Sequence, residues 1–371
     1  MSTKKIKKIL TEAELKKKYG DDSYMVIDLE DELSKIPRLP CRNLALNHLL
    51  GGGIPYGKIM EEFGYESTGK SLMAYDFAKV CQDLGGMVLL VDAENAFELA
   101  WARMNDLDPS RLQIYSNSSV DDIGDWTRDQ IYYWRSKLTN NEPILLIIDS
   151  IAALDKSDNL EGDMVDKKAQ MGNRAKAIGD FLRTRNQLFK RAGICVIPIN
   201  QVRKKLGATM WEVAETTPGG DALRFYAAIR LMLIKSTQIK GLIKDGKFVE
   251  SKEDGQKIGQ NVIIRTEKNK VSPPRPSLKT EVYFVPDKWG YVGYNRYMGL
   301  ETILVDEGII ERRGTRYYYD NQMIANGDKD LIKKLHTKPK MRAKLIKKSS
   351  INTTSKTRAL IESLTRNLYP V

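Results

Sequence analysis

The sequence predicts an α/β protein built on a mainly parallel sheet, with a phosphate-binding loop at its centre. Three observations lead there. Between Lys58 and about Ile234, short, continuously apolar runs alternate with longer stretches of helical apolar spacing, the pattern of a parallel sheet covered on both faces. Gly64-Tyr-Glu-Ser-Thr-Gly-Lys70-Ser71 reads Gly-x4-Gly-Lys-Ser between an apolar run and a helical one, the context a phosphate loop requires. A further apolar run, Ile144-Leu-Leu-Ile-Ile-Asp149, ends on a carboxylate.

Residues 1–35 open with a lysine-rich helix carrying Ile6, Ile9, Leu10 and Leu15 on one side. Such a helix buries little alone, and packing on a neighbouring subunit is one outlet. Turn signals then run from Ile36 to Pro55, including Gly51-Gly52-Gly53. The core, 36–275, has strand candidates at Ile59–Phe63, Met87–Val91, Ile144–Ile148, Ile194–Ile199 and Ala228–Ile234. Helical spacing marks Leu72–Val80, Val120–Leu138 and Asn173–Lys190. Beyond Lys235, Gly241–Phe248 and Asn261–Glu267 have a hairpin-like pattern, and Pro273, Pro274 and Pro276 break the chain. Residues 276–330 form a small α+β domain, with a helix around Leu300–Glu307 and a hairpin over Arg312–Tyr319. Residues 331–371 are a basic tail, its last stretch expected to be mobile.

Composition narrows the class. A hydrophobic content of 42% in 371 residues supports a sizeable core. No apolar run approaches the ~18 residues of a spanning helix. The charged start lacks a following apolar region, so no secretory signal is expected. Cys41, Cys81 and Cys195 lie far apart in apolar or helical surroundings, as structural thiols in a reducing, cytoplasmic compartment do. With only His48 and His336 present, chemistry must rest on carboxylates, lysines, arginines and metal. The net charge of +12 is concentrated at the ends. Residues 331–371 hold eleven basic residues and one acid, Glu362, and residues 1–20 hold seven lysines and two acids. Basic ends are either solvated termini or surfaces for a polyanion; beside a nucleotide-binding core, nucleic acid is the natural partner.

The phosphate loop has a specific physics. Backbone N–H groups of a glycine-permissive turn and the positive end of a helix converge on an anion, Lys70 adds a point charge, and Ser71 offers a hydroxyl to Mg²⁺. The expected ligand is a nucleoside triphosphate. Asp149, ending a strand of the same alternation, is placed to orient the Mg²⁺ shell. Asp92 and Glu94 end another strand; either one activates or positions water near the γ-phosphate, or caps the next helix. Asn200 and Gln201 end a third strand, and amides there either sense a phosphate or stop the strand.

Taken together, Glu66-Ser-Thr-Gly-Lys-Ser71, Asp92-Ala-Glu94, Ile148-Asp-Ser-Ile-Ala-Ala-Leu154, Ile199-Asn-Gln-Val-Arg203 and Thr217-Pro-Gly-Gly-Asp-Ala-Leu-Arg-Phe-Tyr226 resemble the RecA family of bacterial and phage homologous-recombination ATPases. The resemblance runs from about Leu39 to Lys270, and more weakly through the N-terminal helix and Leu300–Tyr319. It implies a P-loop RecA-like core with an N-terminal helix and a small C-terminal domain, using ATP and Mg²⁺. Gly64, Glu66, Ser67, Thr68, Gly69, Lys70 and Ser71 would hold the phosphates, with Ser71 on the metal and Asp149 reaching it through water. Glu94 matches the catalytic glutamate, and Gln201 the glutamine linking the γ-phosphate to a DNA-binding loop. Trp101 falls where the family stacks an aromatic on adenine, and Glu98 where an acid meets the exocyclic amine. Lys268 and Lys270 match lysines that reach ATP on the adjacent subunit.

Two DNA loops follow from the same resemblance, about 159–166 and 202–218. The implied DNA contacts are Met171, Arg183, Arg203, Lys205, Leu206, Gly219, Gly220 and Asp221. Cations beside apolar side chains suit a loop that grips phosphates and wedges between bases. The chain departs from the family at Asp221, where bacterial members usually carry Asn. A carboxylate there repels phosphate unless Arg224 or Lys205 neutralises it. Tyr65 and Pro218 are further departures, and the tail is basic where bacterial relatives tend to be acidic, which points to a phage-encoded or divergent member. The implied activity is a DNA-dependent ATPase that forms a helical homo-oligomeric filament on single-stranded DNA. It would pair that strand with homologous duplex DNA, in a bacterial or phage-infected cytoplasm and with no membrane association. A recombination mediator with weak catalysis and a hexameric ring helicase are the rival readings.

Overall fold

The computed structural model describes residues 36–349 except 157–166, 205–214, 245–246, 252–254, 274 and 288. The chain divides into two units, Met1–Ile36 and Pro37–Val371. The expected N-terminal helix lies outside the described residues, and every described helix and strand belongs to the second unit.

Ten strands form one sheet. They are β1 (Met60–Gly64), β2 (Met87–Asp92), β3 (Leu112–Tyr115), β4 (Ile144–Asp149), β5 (Ile194–Gln201), β6 (Ile229–Lys244), β7 (Lys247–Glu250), β8 (Gln256–Asn269), β9 (Ser277–Tyr283) and β10 (Gly293–Tyr294). The order across the sheet is β10-β9-β8-β6-β1-β5-β4-β2-β3, with β7 hydrogen-bonded to β6. From β6 through β3 every pairing is parallel. On the other side, β8, β9 and β10 build an antiparallel wing. The five predicted strands are all present. β3, with a single apolar period and partial exposure, carries too little pattern to be read from sequence.

β4 shows why the parallel strands read as unbroken apolar runs. Its side chains alternate between two cores: Leu145 and Ile147 enter one, while Ile144, Leu146 and Ile148 enter the other. Helix α2 (Lys70–Asp83) covers the first face, with Phe77, Ala78 and Cys81 buried. α4 (Val120–Arg135) and α5 (Lys167–Arg191) cover the second, through Val120, Ile123, Ile131, Ile178, Leu182 and Phe189. Shorter helices are α1 (Leu44–Leu49), α3 (Leu99–Met104) and α6 (Gly220–Tyr226). Local signals set the boundaries: Ser119 Oγ accepts from Asp122 N–H at the start of α4, and Asn43 Oδ1 accepts from Leu46 N–H at the start of α1.

The C-terminal region differs from expectation in two ways. β9 and β10 lie beyond residue 275 yet extend the central sheet, because the apolar residues Leu278 and Val282 need the core that β8 offers. After α7 (Leu300–Asp306), three antiparallel strands, β11 (Glu311–Arg313), β12 (Arg316–Tyr319) and β13 (Gln322–Asn326), are followed by α8 (Asp328–Thr337) and α9 (Pro339–Lys348). The stretch 331–348, expected to belong to a basic tail, is therefore folded. Leu331, Leu335, Leu345 and Ile346 are at most 1% exposed and join the same core as Leu300, Tyr317 and α2. A high lysine count masked a helical apolar stripe that sequence composition alone does not weigh.

Candidate active site

The site is assembled at the carboxyl ends of adjacent parallel strands, where ligands of open α/β sheets collect. Gly64 at the end of β1 pairs in register with Gln201 at the end of β5, and Asp92 of β2 with Asp149 of β4. Residues far apart in the chain thus meet along one edge.

β1 runs into the glycine loop and α2. Gly69 adopts φ 95° and caps α2 without any side-chain hydrogen bond, so the first-turn N–H groups keep their positive end open to an anion. A Cβ on Gly64 would lie 2.4 Å from the Leu233 carbonyl oxygen, which explains glycine there. The antiparallel wing holds the loop in place: Gln260 Nε2 donates to Ser67 O at 2.6 Å and Tyr294 OH donates to Gly69 O at 3.2 Å. Thr68 Oγ1 donates to Tyr65 O at 2.9 Å. Lys70 Nζ donates to Gly64 O at 3.1 Å and Tyr65 O at 2.8 Å, folded back over its own loop. Burial lowers the Lys70 pKa, against the pull of Asp149, Glu62 and Glu94.

Ser71 Oγ donates to Asp149 Oδ2 at 2.7 Å, so hydroxyl and carboxylate already converge on one point. Burial raises the Asp149 pKa and the Ser71 bond opposes that rise, with Glu94 adding repulsion. Such an oxygen pair beside an uncapped helix start and a lysine fits a Mg²⁺–triphosphate. A small cavity of about 180 Å³ joins Ser71, Asp149, Asp92 and Glu94 to the aromatic side chains Tyr75, Phe97 and Trp101. Trp101 is thus brought to the site, whereas Glu98 is exposed at the start of α3 and does not line it. Tyr75 and Phe97 were missed in sequence; both sit in ordinary apolar spacing and only the fold turns them inward.

The structure separates the two acids that sequence leaves undecided. Asp92 accepts from Ala96 N–H and Phe97 N–H, each at 3.0 Å, and closes its own turn. Glu94 is exposed, and its Oε1 accepts from Ser150 Oγ and, at 3.4 Å, from Gln201 Nε2. Ser150, adjacent to Asp149, had no sequence signal of its own. Glu66 is exposed at the mouth of a cleft shared with Tyr65, Thr68, Gln201, Val202 and Lys235.

Lys268 and Lys270 are elsewhere. Gln260 touches Ser67, and Lys268 lies eight residues further along β8, about 25 Å away at strand rise. Lys268 Nζ donates to Arg224 O at 2.6 Å and Phe225 O at 3.1 Å at the end of α6. Burial lowers its pKa, with Lys270 adding to the shift.

Of the implied DNA contacts, Lys205 and Leu206 lie outside the described residues, as do 159–166. Arg203 and Lys204 pair with Thr216 and Glu215 as a short antiparallel stem. Met171 lies in the first turns of α5. Gly219 (φ 93°) and Gly220 (φ 68°) start α6, which packs on α5: a Cβ on Gly220 would meet Ala175 Cβ at 3.4 Å. Arg183 is exposed on α5 and donates to Asp180 Oδ1 at 3.0 Å. Lys176 lies seven residues before Arg183, two helical turns away on the same side, and was not singled out in sequence. Asp221 is exposed, and no ion pair joins it to Arg224 among the described residues.

Fold and site define a phosphate-loop nucleotide-binding α/β protein. The RecA N-terminal domain family matches residues 4–287. Protein RecA of Geobacter sulfurreducens is 31% identical over 317 residues, 85% of each chain. Protein RecA of Francisella philomiragia is 33% identical over 321 residues, 85% of this chain and 80% of that one. Protein RecA of Aquifex aeolicus is 30% identical over 329 residues, covering 88% and 87%. The chain belongs to the RecA family. Among the described residues no helix is long and apolar enough to cross a membrane.

Proposed function

We propose that the protein is a DNA-dependent ATPase that assembles as a filament on single-stranded DNA and promotes pairing and exchange with a homologous duplex. One observation carries this reading. Gln201, which leads into the 202–218 segment, donates to Glu94, the carboxylate beside Ser71 and Asp149. A single amide therefore stands between the hydrolytic site and the proposed DNA-gripping segment. Bound ATP with Mg²⁺ supplies the phosphoanhydride whose cleavage resets that grip. Lys70, the loop N–H groups and Ser71 would hold its phosphates, and Ser71, with Asp149 acting through water, would hold the metal. Glu94 accepts the proton of the attacking water. Gln201 exchanges its Glu94 contact for one to the γ-phosphate, so nucleotide and DNA affinities are linked reciprocally. Lys268 and Lys270, too far from their own loop, serve the site of the next subunit. Gly219, Gly220, Arg183 and the 202–218 segment form the DNA face.

The test is binding of a labelled oligothymidylate with a non-hydrolysable ATP analogue, with ADP and without nucleotide, alongside ATP turnover with and without DNA. The analogue should strengthen binding and DNA should stimulate turnover. Equal affinity in all three states refutes the reading.

A further inference from the structure

Glu61 lies on β1, three residues before Gly64, and is fully buried. A buried carboxylate persists when partners satisfy it, and Glu61 has two on different elements. Asn200 Nδ2 donates to its Oε1 at 3.1 Å, and Arg230 Nε donates to its Oε2. Asn200 is itself fully buried. Its Nδ2 also donates to Pro218 O at 3.0 Å, and its Oδ1 accepts from Gln201 N–H at 3.0 Å. Two acceptors on the nitrogen side and one donor on the oxygen side leave the carboxamide a single orientation.

That orientation closes a neck. Asn200 and Gln201 precede the 202–218 segment and Pro218 ends it. Just inside, Arg203–Lys204 pairs with Glu215–Thr216, and Val202 N–H donates to Gly64 O at 3.3 Å. Arg230 carries the same network outward: it sits in register with both Glu61 and Lys268, and its guanidinium lies 4.6 Å from the Phe63 ring centre.

We propose that Glu61 is a positioning residue that locks the Asn200 carboxamide across the base of the 202–218 segment, and that this lock transmits nucleotide occupancy to the DNA grip. The proposal rests on the functional reading of the preceding subsection and names the element through which it works. Without the lock, Gln201 still reaches its phosphate partner, but the two ends of the segment are no longer held together when it does.

The experiment uses the full chain as wild type, Asn200→Ala, Glu61→Gln and the double variant. It measures affinity for a fluorescent ATP analogue, and oligothymidylate affinity with and without a non-hydrolysable analogue. Glu61→Gln sets an amide against Arg230 and threatens folding, whereas Asn200→Ala leaves the Glu61–Arg230 pair intact. Asn200→Ala should keep nucleotide affinity within about twofold, while the gain in DNA affinity on adding the analogue falls by about tenfold, the scale of one or two lost hydrogen bonds. The double variant should be no worse than the more affected single one. An Asn200→Ala protein with the wild-type gain, or one losing nucleotide affinity in the same proportion, overturns the proposal alone. A wild type whose DNA affinity ignores nucleotide overturns the functional reading as well.

Discussion

Glu94 and Asp92 are two residues apart and chemically alike, yet the fold gives them different work. Asp92 spends both oxygens on backbone N–H groups, whereas Glu94, among the described residues, takes side-chain donors and stays accessible. Glu94→Gln should keep nucleotide affinity and lower ATP turnover by about 10²–10⁴-fold, the usual contribution of a general base; normal turnover would remove Glu94 from the chemistry. Glu62, next to Glu61, is fully buried too, but neither oxygen has a hydrogen-bond partner among the described residues. Burial, then Asp149, pushes its pKa well up, with Lys70 opposing. An acid whose folded pKa is raised costs nothing while both states are protonated, and destabilises increasingly as pH climbs above the unfolded value of ~4.3. Glu62→Gln should therefore gain stability over wild type as pH rises through that value toward neutrality, with the two converging in acid. Urea midpoints across that range check it, and parallel curves would count against it.

Among the elements, α8 and α9 changed most between sequence and structure. Arg342, 1% exposed, donates to the Leu335 and His336 carbonyls at the end of α8, and its guanidinium stacks 4.8 Å from the Tyr297 ring centre. Those contacts satisfy carbonyls that a helix end leaves bare. Leu345→Ala should cost about 2–5 kcal/mol by the cavity it opens, read as a shift of the urea midpoint. Ending the chain after Gly327 should abolish cooperative unfolding, while ending it after Ser349 should preserve it. Equal stability of the two truncations would mean that α8 and α9 only decorate the surface.

For the molecule as a whole, charge and reach point outward. Of the eleven basic residues in 331–371, eight lie at 331–348 on the α8–α9 segment, and all of these but the buried Arg342 reach the surface. Gln260, which holds the phosphate loop, and Lys268 lie eight residues apart on β8, so in the proposed filament a site using both Lys70 and Lys268 would draw them from different subunits. Mixing Lys70→Ala with Lys268→Ala protein should restore part of the ATP turnover that each lacks, since some junctions then carry both lysines. Activity in the mixture equal to the mean of the separate variants would refute sharing across subunits.

The strands, the phosphate loop, Asp149 and the alternation that orders them were all legible in the amino-acid sequence. Each is a local pattern, fixed by apolar period, glycine placement or a few consecutive residues. Tyr75, Phe97, Ser150, the Glu61–Asn200–Pro218 lock and the folding of α8 and α9 were not. They arise only when strand ends are laid side by side, and partners 139 or 18 residues apart become neighbours. Sequence determined which groups the protein carries and the scaffold that presents them; tertiary structure decided which carboxylate is tied to the backbone and which stays exposed beside Ser150 and Gln201, because that depends on donors supplied by other elements.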